Sequence, residues 1–160
     1  MKRLRISSIE PNLLNNDIID LVSECEKILP HFHIPLQSGS DKILRLMKRR
    51  YMRNVYETRF NYIKTRIPNA CIGSDVIVGF PGEDELEFTE TYNFLKSIDI
   101  SYLHVFSYSE RSNTKSVLID NKVSKNLKNK RSKLLRELSN SKKLKFYKKN
   151  IKNYHNVLFE

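Results

Sequence analysis

The chain has 160 residues, a formal net charge of +11 and a sequence pI near 9.7. Its length suits one domain, and 39% hydrophobic residues with only 4 Gly and 5 Pro exclude collagen-like and Pro/Gly-rich classes. Two cysteines, Cys25 and Cys71, are too few for a disulfide scaffold; no apolar run approaches the ~18 residues of a membrane span and no signal-peptide core follows Met1, which predicts a soluble, cytoplasmic chain.

In chain order, residues 4–9 read as a first strand. A helix is predicted from Asn16 to Leu29, with Ile18, Val22, Cys25 and Leu29 on one face, an Asn cap before it and Pro30 after it. Residues 32–36 form a second strand. Ser40 then caps a short helix over 41–49, with Ile43, Leu44 and Met47 inward. A helix over 54–67 follows, with Tyr56, Phe60, Ile63 and Ile67 at helical spacing, closed by Pro68. The third strand, 70–80, turns through Pro81-Gly82 into a helix over 84–97, whose acidic first turn suits the helix dipole. The fourth strand is 101–108. A polar loop leads to a long basic helix over 124–150 with Leu127, Leu134, Leu135, Leu138 and Tyr147 as its buried stripe. Residues 156–160 start another strand.

Strands alternating with helices give an α/β fold with a mainly parallel sheet of four strands. Strands 72–80 and 103–106 read as buried on both faces or nearly so. A lone sheet of this kind leaves apolar edges open, which suggests that structure is missing at one or both ends.

Charge is uneven. Residues 1–110 hold 14 Lys and Arg against 15 Asp and Glu, whereas residues 111–160 hold 15 against 3. Such asymmetry points to a polyanionic partner, although a solvated Lys-rich helix face explains it as well.

Three segments carry candidate chemistry. The first is His33-Ile-Pro-Leu-Gln-Ser-Gly-Ser40, a strand running into a loop and then a helix. Ligands of parallel sheets bind beyond the carboxyl ends of the strands, and this loop offers amide, hydroxyl and backbone N–H groups to a polar cofactor. By chemistry alone, a well-capped βα turn explains it slightly better. His31 and His33 share a strand face, and without a Cys or carboxylate in sequence reach they fit polar strand positions better than metal ligands. The second is Asp75-Val-Ile-Val-Gly-Phe-Pro-Gly-Glu83, in which Gly79 permits close backbone approach. Asp75 within an apolar strand belongs either on the polar inner face of a barrel or in a bond to a neighbouring strand. The third, residues 45–53, sets five cations around Tyr51; it could hold phosphates and stack a base, but a solvated loop is the better reading in isolation. Gly-x-Ser-x-Gly, His-Glu-x-x-His and Cys-x-x-Cys are all absent, so these residues name no self-contained catalytic centre.

Taken together, Arg5-Ile-Ser-Ser-Ile-Glu-Pro11, the two segments just quoted and Tyr102-Leu-His-Val-Phe-Ser-Tyr-Ser109 occur in an order that resembles the radical S-adenosylmethionine tRNA methylthiotransferases. The resemblance spans nearly the whole chain. The first and last motifs most resemble the branch that modifies threonylcarbamoyladenosine beside the anticodon. It implies a partial radical-SAM (βα) barrel over residues 1–150, and over 151–160 the start of a truncated TRAM β-domain. In complete enzymes of this kind a 4Fe-4S cluster on a Cys-x-x-x-Cys-x-x-Cys motif cleaves S-adenosylmethionine, and the resulting radical abstracts hydrogen from adenine C2. A second cluster delivers sulfur and another S-adenosylmethionine the methyl group.

The resemblance implies cofactor contacts at Gln37, Ser38 and Gly39, at Val78 and Gly79, and at Ser107 and Tyr108. It implies tRNA phosphate contacts at Lys48, Arg49 and Arg50 and on the basic helix at Lys130 and Arg131. No catalytic residue and no metal ligand is assigned. Cys25 and Cys71 do not match the cluster motif. The chain is therefore expected to be a fragment, inactive alone, whose partners are tRNA and an N-terminal half supplied as a separate chain, with no membrane. Two alternatives stay open: a non-catalytic basic RNA-binding α/β module driven by residues 111–160, and a self-standing domain that binds a phosphorylated or nucleoside ligand.

Overall fold

The computed structural model describes residues 3–112, 114–151 and 153–154. Helix α1 (Asn16–Glu24) precedes strand β1 (His31–His33). Helices α2 (Asp41–Leu46) and α3 (Arg53–Arg66) lead to β2 (Cys71–Val78), α4 (Glu85–Ser97) leads to β3 (Tyr102–Ser107), and α5 (Lys125–Asn150) closes the described chain. The sheet is parallel throughout, in the order β1-β2-β3, with Phe32 opposite Ile72 and Asp75 opposite His104.

The sheet has three strands rather than four. Residues 4–9 make only isolated parallel bridges, Leu4 to Ile28 and Ser8 to His33. The reason lies at Pro30, which has no N–H to donate and interrupts the neighbouring backbone. Leu4 therefore pairs with the loop before it, through Leu4 N–H to the Lys27 carbonyl (2.8 Å) and Leu29 N–H to the Leu4 carbonyl (2.9 Å). Pairing resumes beyond the proline, where Ile9 N–H meets the His33 carbonyl (3.0 Å). That same pairing shortens α1, which ends at Glu24 instead of running to Leu29. Ile19 and Val22 are its buried residues and Ile18 packs half-buried against the core, while Cys25 and Leu29 lie beyond the helix. α2 also stops early, at Leu46.

The core lies between the sheet and its helices. Phe32, Ile72, Val76, Leu103 and Val105 from the strands meet Tyr56, Phe60 and Ile63 of α3 and Phe88 and Leu95 of α4. The expectation of strands buried on both faces fails. β2 and β3 alternate in burial, and their second face lies bare among the described residues, with His104 and Phe106 exposed. Strands with one covered face alternate in this way by construction.

The exposed edge of the sheet is not left open. α5 runs along β3, and its Ser139 hydroxyl donates to the Leu103 carbonyl (3.0 Å) and accepts from the Leu103 N–H (2.8 Å). Ser132 reaches Ser107 at 2.8 Å. The helix thus supplies polar atoms to backbone groups that another strand would otherwise satisfy. This corrects the predicted leucine stripe: the buried seam of α5 is Arg131, Ser132, Leu135 and Ser139, while Leu134 and Tyr147 are exposed. Of residues 151–160, where the start of a TRAM β-domain is expected, 152 and 155–160 lie outside the described residues. Among the described residues no helix is long and apolar enough to cross a membrane.

Candidate functional site

The strands place a row of polar side chains on the bare face: His31 and His33 on β1, Asp75 on β2, Tyr102 and His104 on β3. Asp75 is the hub. Its Oδ1 accepts from His33 Nε2 at 2.9 Å and from His104 Nδ1 at 3.1 Å. Of the two sequence alternatives for Asp75, the bond to a neighbouring strand is observed, and on both sides. Gly73 makes the row possible, because a Cβ there would fall 2.1 Å from the Tyr102 ring. The His33, Asp75 and His104 ligand atoms all lie within 4.8 Å of one another, so this cluster has the donor set for a cation although the sequence motifs assign none. These donors already satisfy one another by hydrogen bonds.

At one end of the row His31 is a neutral imidazole. Burial and the nearby Arg5 charge lower its pKa from 6.5 to about 4. Arg5 lies against both ring nitrogens, its Nε donating to Nδ1 at 3.2 Å and its Nη2 3.1 Å from Nε2, which is also 2.9 Å from the Tyr102 hydroxyl. A cleft of about 520 Å³ lies over this part of the face, lined by Arg5, Ser7, Ser8, His33, Asp75, Tyr102, His104 and Phe106.

A second cleft, of about 510 Å³, opens at the carboxyl ends of the strands, where parallel sheets bind ligands. Gln37, Arg49, Asp75, Ile77, Phe106, Ser107, Tyr108 and Arg111 line it. Phe106 belongs to both clefts and is 51% exposed, beside Ile6 in one cleft and Ile77 in the other.

The expected cofactor residues separate into two groups. Gln37, Ser107 and Tyr108 line the strand-end cleft. Gln37 takes a left-handed backbone (φ 67°), and its N–H and carbonyl bond β2 at Asp75 and Ile77, both 2.9 Å. Ser38, Gly39, Val78 and Gly79 are buried, and their polar groups serve the fold. Ser38 Oγ and the Gly39 N–H meet Thr91 Oγ1 of α4 at 3.2 and 3.0 Å, and a Cβ on Gly39 would fall 2.7 Å from the Thr91 Cα. The Gly79 amide donates to Glu83 at 2.9 Å, and its missing Cβ makes room for Lys128. Both glycines therefore allow helix packing, and neither presents a free amide to the cleft.

The expected phosphate contacts also divide. Lys48 and Arg50 are exposed just beyond α2, where Lys48 adopts φ 57°. Arg49 pairs with Glu10 at 3.2 Å and faces the strand-end cleft. Tyr51 cannot stack a base: it is buried, and its hydroxyl donates to the Pro35 carbonyl at 2.8 Å. On α5, Lys130 is exposed but Arg131 is not. The Arg131 guanidinium is 2% exposed and donates to Glu83 at 2.8 Å and to Glu85 at 3.2 Å, so it is withdrawn from any phosphate. Burial raises the pKa of Glu83, and the Gly79 N–H and the Arg131 charge oppose that rise. Much of the remaining charge of α5 is also held internally. Lys145 and Lys149 pair with Asp99, Lys128 donates to the Tyr108 carbonyl and Lys142 to the Lys96 and Ile98 carbonyls.

Arg5, His104 and Phe106 are the bare-face residues that the motif reading did not single out. The available signal was the alternation Tyr102-x-His104-x-Phe106 beside His31-x-His33, which sets three aromatic or imidazole rings on one side of β3.

The fold is thus an α/β one: a three-stranded parallel sheet with helices on one face and a cleft at the strand ends. Residues 2–95 match the family model of the Radical SAM superfamily, and the chain belongs to that superfamily. It is 46% identical over 147 residues to the threonylcarbamoyladenosine tRNA methylthiotransferase MtaB of Aquifex aeolicus, covering 92% of this chain and 36% of the relative. It is 46% identical over 131 residues to the protein of the same name in Bacillus subtilis, covering 82% and 29%. Against the tRNA-2-methylthio-N(6)-dimethylallyladenosine synthase of Clostridium tetani it is 40% identical over 154 residues, covering 96% and 33%. The chain spans about a third of the length of these relatives. Coproporphyrinogen III oxidase (HemN) from Escherichia coli aligns with a TM-score of 0.58 at 15% identity, over 93% of this chain and 31% of that one, a likeness of fold alone.

The two cofactors of the superfamily fare differently against these residues. A strand-end cleft with an amide, hydroxyls and an arginine suits the ribose and carboxylate of S-adenosylmethionine. The iron–sulfur cluster does not fit. Cys25 and Cys71 are the only cysteines in the chain, and burial raises the pKa of the Cys71 thiol. Any cluster ligands must come from outside these 160 residues.

Proposed function

We propose that this chain forms the later part of the barrel of a tRNA methylthiotransferase, acting at C2 of N6-threonylcarbamoyladenosine beside the anticodon. The observation that carries the reading is the bare face itself, with an exposed Phe106 between a strand-end cleft and a polar one. An aromatic ring at that position is a platform on which a flipped-out base can stack. The relatives' names supply the substrate class, and the strand-end cleft supplies room for the cofactor. In this reading Gln37, Ser107 and Tyr108 hold S-adenosylmethionine, whose chemistry supplies the radical and the methyl group. Lys48 and Arg50 meet tRNA phosphates. The chain's own residues orient base and cofactor, while the cluster that starts the reaction is held elsewhere.

The competing reading, a basic RNA-binding module built on residues 111–160, draws less support. Lys128, Arg131, Lys142, Lys145 and Lys149 hold partners within the fold, which leaves Lys125, Lys130, Lys133, Lys143 and Lys148 as the lysines of α5 without such a partner among the described residues. The test is mass spectrometry of nucleosides from tRNA of the native organism with and without this gene. Loss of the 2-methylthio derivative with accumulation of threonylcarbamoyladenosine is the expected result. An unchanged nucleoside profile overturns the reading.

A further inference from the structure

The geometry points to the cleft around Arg5, Ser7, Ser8 and His104 as the seat of a carboxylate carried by the N6 substituent of the substrate base. This assignment rests on the function proposed above and adds the group that tells one substrate from another. The two kinds of relative named above differ chemically at that place. A threonylcarbamoyl group ends in a carboxylate and a hydroxyl, whereas a dimethylallyl group is wholly apolar.

The cleft is built for the former. Arg5 makes no ion pair with a carboxylate among the described residues, and it is held through Nε by His31 at 3.2 Å. That imidazole orients the guanidinium and brings no negative charge to neutralise it. The sole carboxylate of the lining, Asp75, is occupied by donors from His33 and His104. Ser7 and Ser8 add hydroxyls. A cationic arginine fixed in place, with no anion of its own, is a site for an anion. An apolar dimethylallyl group would instead strand these polar atoms without partners.

The spacing agrees. A base stacked on Phe106 sits two residues along β3 from His104 and four from Tyr102, about 7 and 13 Å at the rise of a strand. N6 is carried on C6, which is separated from C2 by N1, so a substituent on N6 leaves the ring in a different direction from the C2–H bond. With C2 toward the strand-end cleft, it runs down the sheet toward Arg5.

The experiment measures binding of three anticodon stem-loops to the protein by fluorescence anisotropy. They carry, at the target position, unmodified adenosine, N6-threonylcarbamoyladenosine, or the methyl ester of the latter. The ester removes the charge and keeps the shape. The free acid is expected to bind about tenfold more tightly than the ester, the scale of one charge-assisted hydrogen bond. Arg5→Gln should bring the acid down to the level of the ester and leave ester binding unchanged. Equal binding of acid and ester by the unsubstituted protein overturns the carboxylate site while leaving the tRNA reading intact, since backbone phosphates alone would give that result. A preference for the acid that survives both Arg5→Gln and His104→Asn places the carboxylate elsewhere and overturns the assignment. Failure of every stem-loop to bind overturns the tRNA reading as well.

Discussion

On one face of the sheet Phe32, Ile72, Val76, Leu103 and Val105 lie under the helices; on the other, His33, Asp75, His104 and Phe106 meet water or one another. The same three strands supply both sets by simple alternation. The covered face carries the stability of the fold, and the bare face carries groups that folding does not need. A polar network retained on a surface with no packing role is where binding and chemistry are to be sought. Substitutions should therefore separate cleanly between the two faces.

The largest effect is expected from Phe32→Ala, which empties a fully buried site and should cost about 4 kcal/mol in urea unfolding. Its counterpart Phe106→Ala should change stability by less than about 0.5 kcal/mol, because the ring is half exposed. Similar losses for the two would erase the distinction between the faces.

Next comes Arg131→Met, which leaves Glu83 buried without its partner and should cost about 3 kcal/mol at neutral pH. Removing the arginine takes away one of the influences that holds the Glu83 pKa down, so it rises further above the ordinary 4.5. The deficit of the variant relative to the parent should then shrink as pH falls and Glu83 takes up a proton. A deficit independent of pH would show that packing, not charge, sets the cost.

His31 offers a smaller test from the bare face. Its folded pKa, about 4, lies below the ordinary 6.5, so the unfolded chain binds the extra proton first. Its contribution is complete above pH 6.5 and is lost as pH falls toward 4, by about 1 kcal/mol given that water reaches the ring. His31→Gln should flatten the stability profile over that window. The smallest expected effect is on RNA affinity. Lys48→Ala and Arg50→Ala should each lower the slope of log affinity against log salt by about 1, with little change in stability.

Much of the covered face was legible in the sequence. The spacing of Tyr56, Phe60 and Ile63 placed α3, and the acidic first turn after Pro81-Gly82 placed α4, because local sequence decides those elements; Asp84, read as the first helical residue, is the cap. Elements whose bounds depend on a distant partner were read too long. Residues 25–29 continue an apolar helical pattern, but their backbone pairs with Leu4 instead. The leucines of α5 suggested an apolar stripe, yet the helix packs on a strand edge, where serines serve better. On the bare face the sequence identified Asp75 as unusual. It could not show that His33 and His104, 71 residues apart in the chain, converge on one carboxylate oxygen, since that depends on strand register. The Arg131 charge was misread for the same reason: a basic helix looks solvated until its buried partner is placed.

The most direct test of the central claim, that ligand binding belongs to the bare face, is hydrogen–deuterium exchange with and without a threonylcarbamoyladenosine-bearing anticodon stem-loop. The account predicts slower exchange over residues 5–8 and 102–108 and no change over α1 and α3. Protection confined to the helix-covered side, with residues 5–8 and 102–108 unaffected, would contradict it.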